Sequence, residues 1–275
     1  MIAGQNSFDM TYNFDTVKVR QNILLLALCA IPQLGTAQSN VSYEIFKHGG
    51  AGYHSVLVNL KSDSISPSVM LENRPTALSQ MVSAEPPAVA ITGTFFHPTS
   101  AYPVGDVLVD GRLEASGMRG SVLAVDWFGG VKMWDSGFLQ PIDWSPYRFA
   151  LRGLVRLIKN GAVVPNPKAQ RFRDPRIWGK ASRCAAGIRK DGKMILLVTR
   201  NNVTLTQLGN AMKSRGVVEA VNLDGGGSTA LWYKGKSVIS PGRRLSNLFM
   251  IYERAPITVP NEFNFVHNSM TRNSW

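Results

Sequence analysis

Apolar positions in this chain come in short alternating or continuous blocks, separated by Gly, Asn, Asp and Pro. Residues 55–60 alternate as a strand, and 68–71, just after Pro67, read as a strand that pairs with it. A short helix is predicted within 75–85, with Leu78 and Met81 three apart on its inner side. Residues 88–92 form a continuous apolar strand that ends on a polar cluster, Gly93-Thr94-Phe95-Phe96-His97. Asp110-Gly111 after 106–109, and Gly129-Gly130 between 121–125 and 131–134, are hairpin signals. Asn160-Gly161 separates strands at 154–158 and 162–164, and 190–193 separates strands at 184–188 and 194–199. Thr204 and Gln207 spell a capping box, followed by a helix whose stripe is Leu205, Leu208, Ala211 and Met212 and which Gly216 ends. A last strand covers 245–252. The pattern predicts an α+β fold: one domain with a mostly antiparallel β-sheet core and a few short helices.

One stretch stands apart, residues 219–233. An apolar β-prone run ends in Asn222-Leu223-Asp224, then come Gly225-Gly226-Gly227, Ser228 and Thr229, then a second apolar run. Alternation puts Asn222 and Asp224 on one face of the strand end. Three glycines permit positive φ and close approach of a ligand to the main chain. Their N–H groups, with the Ser228 and Thr229 hydroxyls, form a donor-rich patch beside the acceptor-rich strand end. A substrate carrying both sugar hydroxyls and a phosphate matches both halves. A Gly-rich turn between two strands also fits a plain hairpin. The Gly-Lys-Ser/Thr ending of a phosphate-binding P-loop is absent.

The 275 residues are 44% hydrophobic, enough for a full core. Thirty Lys and Arg against 18 Asp and Glu give a net charge of +12, a field that favours anionic partners. These cations are scattered and no nucleic-acid-binding motif is present, which argues against nucleic acid. With Cys29 in a hydrophobic run, Cys184 reads as a small core residue, and there is neither a disulfide framework nor Cys/His zinc spacing. Lys18 and Arg20, the apolar run 23–31, and Gly35 and Ala37 at −3 and −1 of a cleavage site make 1–37 an N-terminal extension with a secretory signal. Its apolar run is shorter than the roughly 20 residues that span a bilayer. The expected organisation is therefore a leader over 1–37, a domain over 38–254 and a mobile tail over 255–275. The location is secreted or periplasmic, with no stable membrane insertion after cleavage. Residues 165–180, basic and proline-containing, read as a surface loop bordering the site. The pairs Trp127-Phe128 and Trp232-Tyr233 read as core or hairpin packing, with sugar stacking as the alternative.

Five motifs occur in order: Thr92-Gly93-Thr94-Phe95-Phe96, Pro103-Val104-Gly105, Arg183-Cys184-Ala185-Ala186-Gly187, Asn222 to Thr229, and Arg243-Arg244-Leu245-Ser246-Asn247. Together they resemble the phosphodiester glycosidase family over roughly residues 53–253. The family usually has Asn-Gly-Gly-Phe-Phe at the first motif and an acid after it. Here Thr92 and Thr94 replace the Asn and the second Gly, and His97 replaces the acid. The resemblance implies hydrolysis of a sugar-1-phosphodiester to free sugar and phosphomonoester, with a phosphate-containing glycan as partner.

A phosphomonoester leaves far more readily than an alkoxide, so the reaction needs little general-acid help, in keeping with the lack of an obvious carboxylate pair. On this reading Asp224 lies nearest the anomeric carbon as base, nucleophile or electrostatic stabiliser, and Asn222 orients hydroxyls or water. Gly225, Gly226, Gly227, Ser228 and Thr229 hold phosphate oxygens, and Arg183 and Arg243 clamp the phosphate. His54 and His97 are candidate proton-transfer partners. Thr92, Gly93 and Asn247 complete the substrate-binding set. No cofactor is required, and a divalent metal beside the phosphate is compatible with the motif. The departures at Thr92 and His97 support a second reading, a catalytically weak module that binds anionic cell-wall or surface glycan.

Overall fold

The computed structural model describes residues 39–117 and 119–254. The leader expected over 1–37 and the tail over 255–275 lie outside the described residues. The alternation read from the sequence becomes two sheets in which every strand pairing is antiparallel. The larger has eleven strands, and its path runs β1 (Val41–His48), β2 (Ala51–Val58), β12 (Met194–Val203), β11 (Ala181–Arg189), β13 (Val217–Leu223), β9 (Tyr147–Lys159), β5 (Val107–Val109), β6 (Arg112–Ala115). Both β7 (Ser121–Asp126) and β10 (Ala162–Val163) also pair with β9, and β8 (Val131–Asp135) pairs with β7. The smaller sheet runs β15 (Lys236–Ile239), β14 (Leu231–Tyr233), β4 (Val89–Thr92), β16 (Leu245–Glu253), β3 (Ile65–Thr76).

Period-2 alternation decides which side chains meet. Val89 and Ile91 of β4 and Phe249 and Ile251 of β16 pack into one buried cluster with Val56, Leu196, Val198, Val221 and Leu223 of the larger sheet. The intervening residues face outward under helices. Ala90, Leu248 and Met250 lie beneath Leu78 and Met81 of α1 (Leu78–Met81). Ile195, Leu197 and Ala220 lie beneath Leu205, Leu208, Ala211 and Met212 of α3 (Leu205–Lys213). The order of layers is helix, sheet, sheet, helix. Strands buried on both faces read as the unbroken apolar runs seen at 88–92 and 194–199. The capping box forms as spelled, with the Thr204 hydroxyl accepting from Gln207 N–H at 3.1 Å and Thr204 N–H donating to Gln207 Oε1 at 2.9 Å. Cys184 is fully buried between the sheets, and burial pushes its thiol up to about 12. Among the described residues no helix is long and apolar enough to cross a membrane.

The pairing expected between 68–71 and 55–60 does not form. Both edges of β2 are taken, by β1 and β12, and β3 pairs with β16 in the other sheet. Alternation fixes which face of a strand is buried but not its neighbour. The hairpin alternative for 219–233 also fails, because β13 and β14 belong to different sheets and the triple glycine carries the chain between them. Phe128 is not packed but 99% exposed at the β7–β8 tip. The expected loop over 165–180 contains a short helix, α2 (Pro175–Trp178), whose N-cap Asp174 accepts Arg176 N–H at 2.9 Å.

The Pro103-Val104-Gly105 motif packs backbone on backbone. Val104 N–H donates to Phe95 carbonyl at 2.7 Å, Phe96 and Pro103 form a bridge, and Gly105 presses onto the Arg152 carbonyl, where a Cβ has no room. Arg152 itself is fully buried and pairs with Asp106 at 2.9 Å. Because the obstacle at Gly105 is backbone rather than a movable side chain, Gly105→Ala is expected to destabilise the fold by about 3 kcal/mol, measured by urea unfolding. A shift below about 1 kcal/mol would show that this contact is not tight.

Candidate active site

β4 and β13 end side by side, one in each sheet. Asp224 N–H donates to Gly93 carbonyl at 2.8 Å, and Gly93 N–H donates to Asn247 carbonyl on β16 at 3.2 Å. The Asn247 side chain then brackets the next residue, its Oδ1 accepting from Thr94 N–H at 2.6 Å and its Nδ2 donating to Thr94 carbonyl at 3.2 Å. A Cβ at Gly93 would overlap Asn247 Oδ1, so this bracket requires glycine. Asn247 is fully buried, and both it and Gly93, expected among the substrate-binding residues, hold backbone and do not line the cavity.

Asp224 sits at the floor of a cavity of about 650 Å³. It is 5% exposed. Its Oδ1 accepts Gly225 N–H at 2.8 Å, and its Oδ2 lies 3.2 Å from Nη2 of Arg243. Nε of Arg243 donates to Ser228 Oγ at 2.7 Å, and its guanidinium lies 5.1 Å from the centre of the Phe96 ring. Burial lifts the Asp224 carboxyl above the ordinary carboxylate range, and it outweighs the Ser228 hydroxyl and the Arg243 guanidinium, which both lower it.

The glycine loop is a single 3₁₀ turn, with Gly226 at φ +58°. Ser228 and Thr229 N–H groups return to Gly225 and Gly226 carbonyls at 3.0 and 3.1 Å. Among the described residues the Gly226 and Gly227 N–H groups have no acceptor, and both residues line the cavity. The hydroxyls do not face it. Thr229 Oγ1 donates to Ser182 Oγ and Ser182 Oγ to Gly226 carbonyl, each at 3.0 Å, while the Thr92 hydroxyl donates to Ser228 carbonyl. The expected phosphate-binding role of Ser228, Thr229 and Thr92 is corrected accordingly. The Ser228 hydroxyl is held by Arg243 and Asp224, the Thr229 hydroxyl by Ser182, and the Thr92 hydroxyl by the loop's own carbonyl.

Three further expectations change. Arg183 lines the cavity at 2% exposure, but its Nη2 donates to Ile177 and Gly179 carbonyls at 3.0 and 2.6 Å, so it braces the α2 segment rather than clamping a ligand through that nitrogen. Burial lowers its pKa, and Asp224 opposes this. Asn222 is fully buried, with Nδ2 on Leu223 carbonyl at 2.7 Å and Oδ1 unpartnered among the described residues, and it does not reach the cavity. Sharing a strand face with Asp224 did not place it at the same depth. His54 lies in mid-strand on β2, its Nδ1 2.6 Å from Tyr43 Oη, away from the cavity, while burial and then Arg200 lower its pKa. His97 and Arg243 do line the cavity, and so does Gly225, but its N–H is spent on Asp224 Oδ1 and not offered to a phosphate.

Arg119, Arg173 and Arg176 also line it, though no motif singled them out. The basic stretch 165–180 pointed to the last two, and Arg119 carries no local signal. Arg176 is exposed and fixed to Asp174 at 2.6 Å, and that bond holds the Asp174 carboxyl below the usual range. Among the described residues no group of three or more His, Cys, Asp or Glu gathers as a metal site. The chamber thus sets five arginines against two carboxylates, Asp174 and Asp224, around unpaired backbone donors. It is suited to an oxyanion held beside one low-lying carboxylate.

A family model described as phosphodiester glycosidase matches residues 87–252. Over 166 residues the chain is 26% identical to mouse N-acetylglucosamine-1-phosphodiester alpha-N-acetylglucosaminidase, a match covering 54% of this chain and 32% of that enzyme's length. The structure resembles the zebrafish catalytic domain of the enzyme of that name, auto-inhibited there by its pro-peptide, with TM-score 0.66, 20% identity, and 80% and 85% of the two chains covered. It also resembles a Synechocystis protein with TM-score 0.62, 16% identity, and 78% and 62% covered. At these identities the structural likenesses establish the fold.

If Arg183 braces the cavity wall, Arg183→Ala loses about 2 kcal/mol of stability and exposes the 172–180 segment to limited proteolysis before the rest of the domain. Cleavage no faster than in wild type would overturn the bracing role.

Proposed function

The chain belongs to the phosphodiester glycosidase family, and from that membership we propose that it hydrolyses the glycosidic bond of a sugar-1-phosphodiester, releasing free sugar and a phosphomonoester. The observation that carries this reading is the meeting of the Asp224 carboxylate, the Arg243 guanidinium and the two unpaired N–H groups of Gly226 and Gly227 in one cavity. Heterolysis at the anomeric carbon develops positive charge on the sugar and negative charge on the departing phosphate. A carboxylate and a guanidinium 3.2 Å apart supply the two opposite charges side by side. Asp224 balances the oxocarbenium-like centre. Arg243, the loop N–H groups and the Arg119, Arg173 and Arg176 side chains receive the phosphate oxygens, with His97 on the rim as proton-transfer partner.

The proposed reaction uses no cofactor. A divalent ion arriving with the phosphate would find Asp174 and Asp224 as the cavity's carboxylates. The leader pattern supports an exported enzyme, secreted or periplasmic, with a mature chain that starts at Gln38. N-terminal sequencing of the processed protein tests that start, and a product retaining Met1 would refute it.

The chemistry is tested with a sugar-1-phosphate ester of a chromogenic alcohol, assayed for free sugar. Asp224→Asn is expected to lower kcat at least ~100-fold, and unchanged turnover would remove Asp224 from the reaction. Because burial raises the Asp224 pKa and the ionised form acts, the acid limb of kcat/KM should lie above the ordinary aspartate value of about 3.9. Arg243→Ala removes a cation that favours the ionised form, so that limb should move to higher pH. Movement to lower pH would contradict the assignment.

A further inference from the structure

The cavity does not end at its rim. Residues 95–104 leave β4 as a tight ridge, tied by His97 N–H to Tyr102 carbonyl at 2.9 Å, Ala101 N–H to His97 carbonyl at 2.8 Å and the Phe96–Pro103 bridge. Tyr102 and Pro103 line the arginine-rich cavity on one side and a second groove of about 500 Å³ on the other. Tyr102 is 52% exposed at this crest, and its hydroxyl donates to Ser116 carbonyl at 3.3 Å, which fixes the ring. The two hollows differ in charge. The first holds five arginines against two carboxylates. The second holds Glu72 and Glu114 against Arg112, which is already paired with Glu114 at 3.2 Å, and adds the polar side chains of Asn73 and Ser100.

We propose that the second groove is a subsite for the part of the substrate that extends past the phosphate, that Tyr102 is its specificity-determining platform, and that it takes an uncharged or amine-bearing polyol and disfavours a second phosphate. The inference rests on the reading of the first cavity as a phosphate pocket and adds what must lie next to that phosphate. A fixed phenol ring offers its face to the C–H face of a sugar or polyol. Glu72, Glu114, Asn73 and Ser100 accept or donate hydrogen bonds to hydroxyls. A second anion would meet the Glu72 carboxylate, which has no ion-pair partner among the described residues, and like-charge juxtaposition is how binding sites reject close analogues. The substrate on this account carries a single phosphate between two neutral units, and a polymer of repeated sugar phosphates is a poor fit.

Isothermal titration calorimetry with three probes tests this: inorganic phosphate, the glycerol diester of α-glucose 1-phosphate, and the same diester carrying a terminal phosphate on its glycerol. Titrations use the Asp224→Asn background, so that no probe is consumed. The diester with the unmodified glycerol is expected to bind at least ~10-fold tighter than its phosphorylated counterpart. Glu72→Gln with Glu114→Gln should narrow that gap to within ~3-fold, and Tyr102→Ala should weaken the unmodified glycerol diester ~10-fold, both with inorganic phosphate unchanged. Equal affinity for the two diesters while inorganic phosphate still binds would overturn this inference alone. An equal loss of inorganic phosphate binding in Tyr102→Ala would overturn the platform role. If none of the three probes binds, the phosphate-pocket reading falls and this inference falls with it.

Discussion

The hydrogen bond from Asp224 N–H to the Gly93 carbonyl, 2.8 Å long, joins the end of a strand in one sheet to the end of a strand in the other. Two packed sheets would otherwise leave their strand ends with unpaired backbone groups at the seam, and buried backbone groups must find partners. Asn247 completes the join by taking both backbone groups of Thr94. The position of the Asp224 carboxylate follows from this junction. The residue is held by its own main chain, so its side chain is aimed by the fold and not by the ligand. The same junction explains why the glycine loop changes sheets: a chain leaving β13 beside β4 meets the edge of β4 and pairs with it as β14.

Charge in the molecule is organised at two scales. The net +12 is a property of the whole surface, and it says only that anions are favoured. Within the cavity the arrangement is specific, because one guanidinium is shared between a carboxylate and a serine hydroxyl that are both buried. Arg243 therefore favours the ionised form of Asp224 in a place that disfavours charge, while itself lining the cavity. Arg183, nearly fully buried, adds charge to the wall without offering Nη2 to a ligand.

Much of this was legible in the residues. The strand blocks, the capping box, the short helix under Leu78 and Met81, and the core position of Cys184 follow from local periodicity and appear as read. Gly93, Gly105 and Gly225 sit at places of close approach. What local pattern could not supply was depth and partnership. Alternation gave Asn222 and Asp224 a common face, yet two residues of further travel toward the strand end separate a side chain sealed in the core from one at the cavity floor. The hydroxyls of Thr92, Ser228 and Thr229 signal hydrogen bonding equally well to a ligand or to protein groups, and here Ser228 carbonyl, Arg243 and Ser182 are their nearer partners. Arg119 reaches the site only through the fold, from a position with no motif around it. β3 chose its partner across the whole chain, which no window of sequence contains.

The grip of Arg183 on the cavity wall has an evolutionary reading. Its guanidinium holds carbonyl oxygens of Ile177 and Gly179, and every amino acid supplies a carbonyl. The anchor is therefore blind to the identity of the side chains it fixes in place. Side chains along this wall can change while their backbone path persists, so one scaffold can present different recognition chemistry above the same cavity floor.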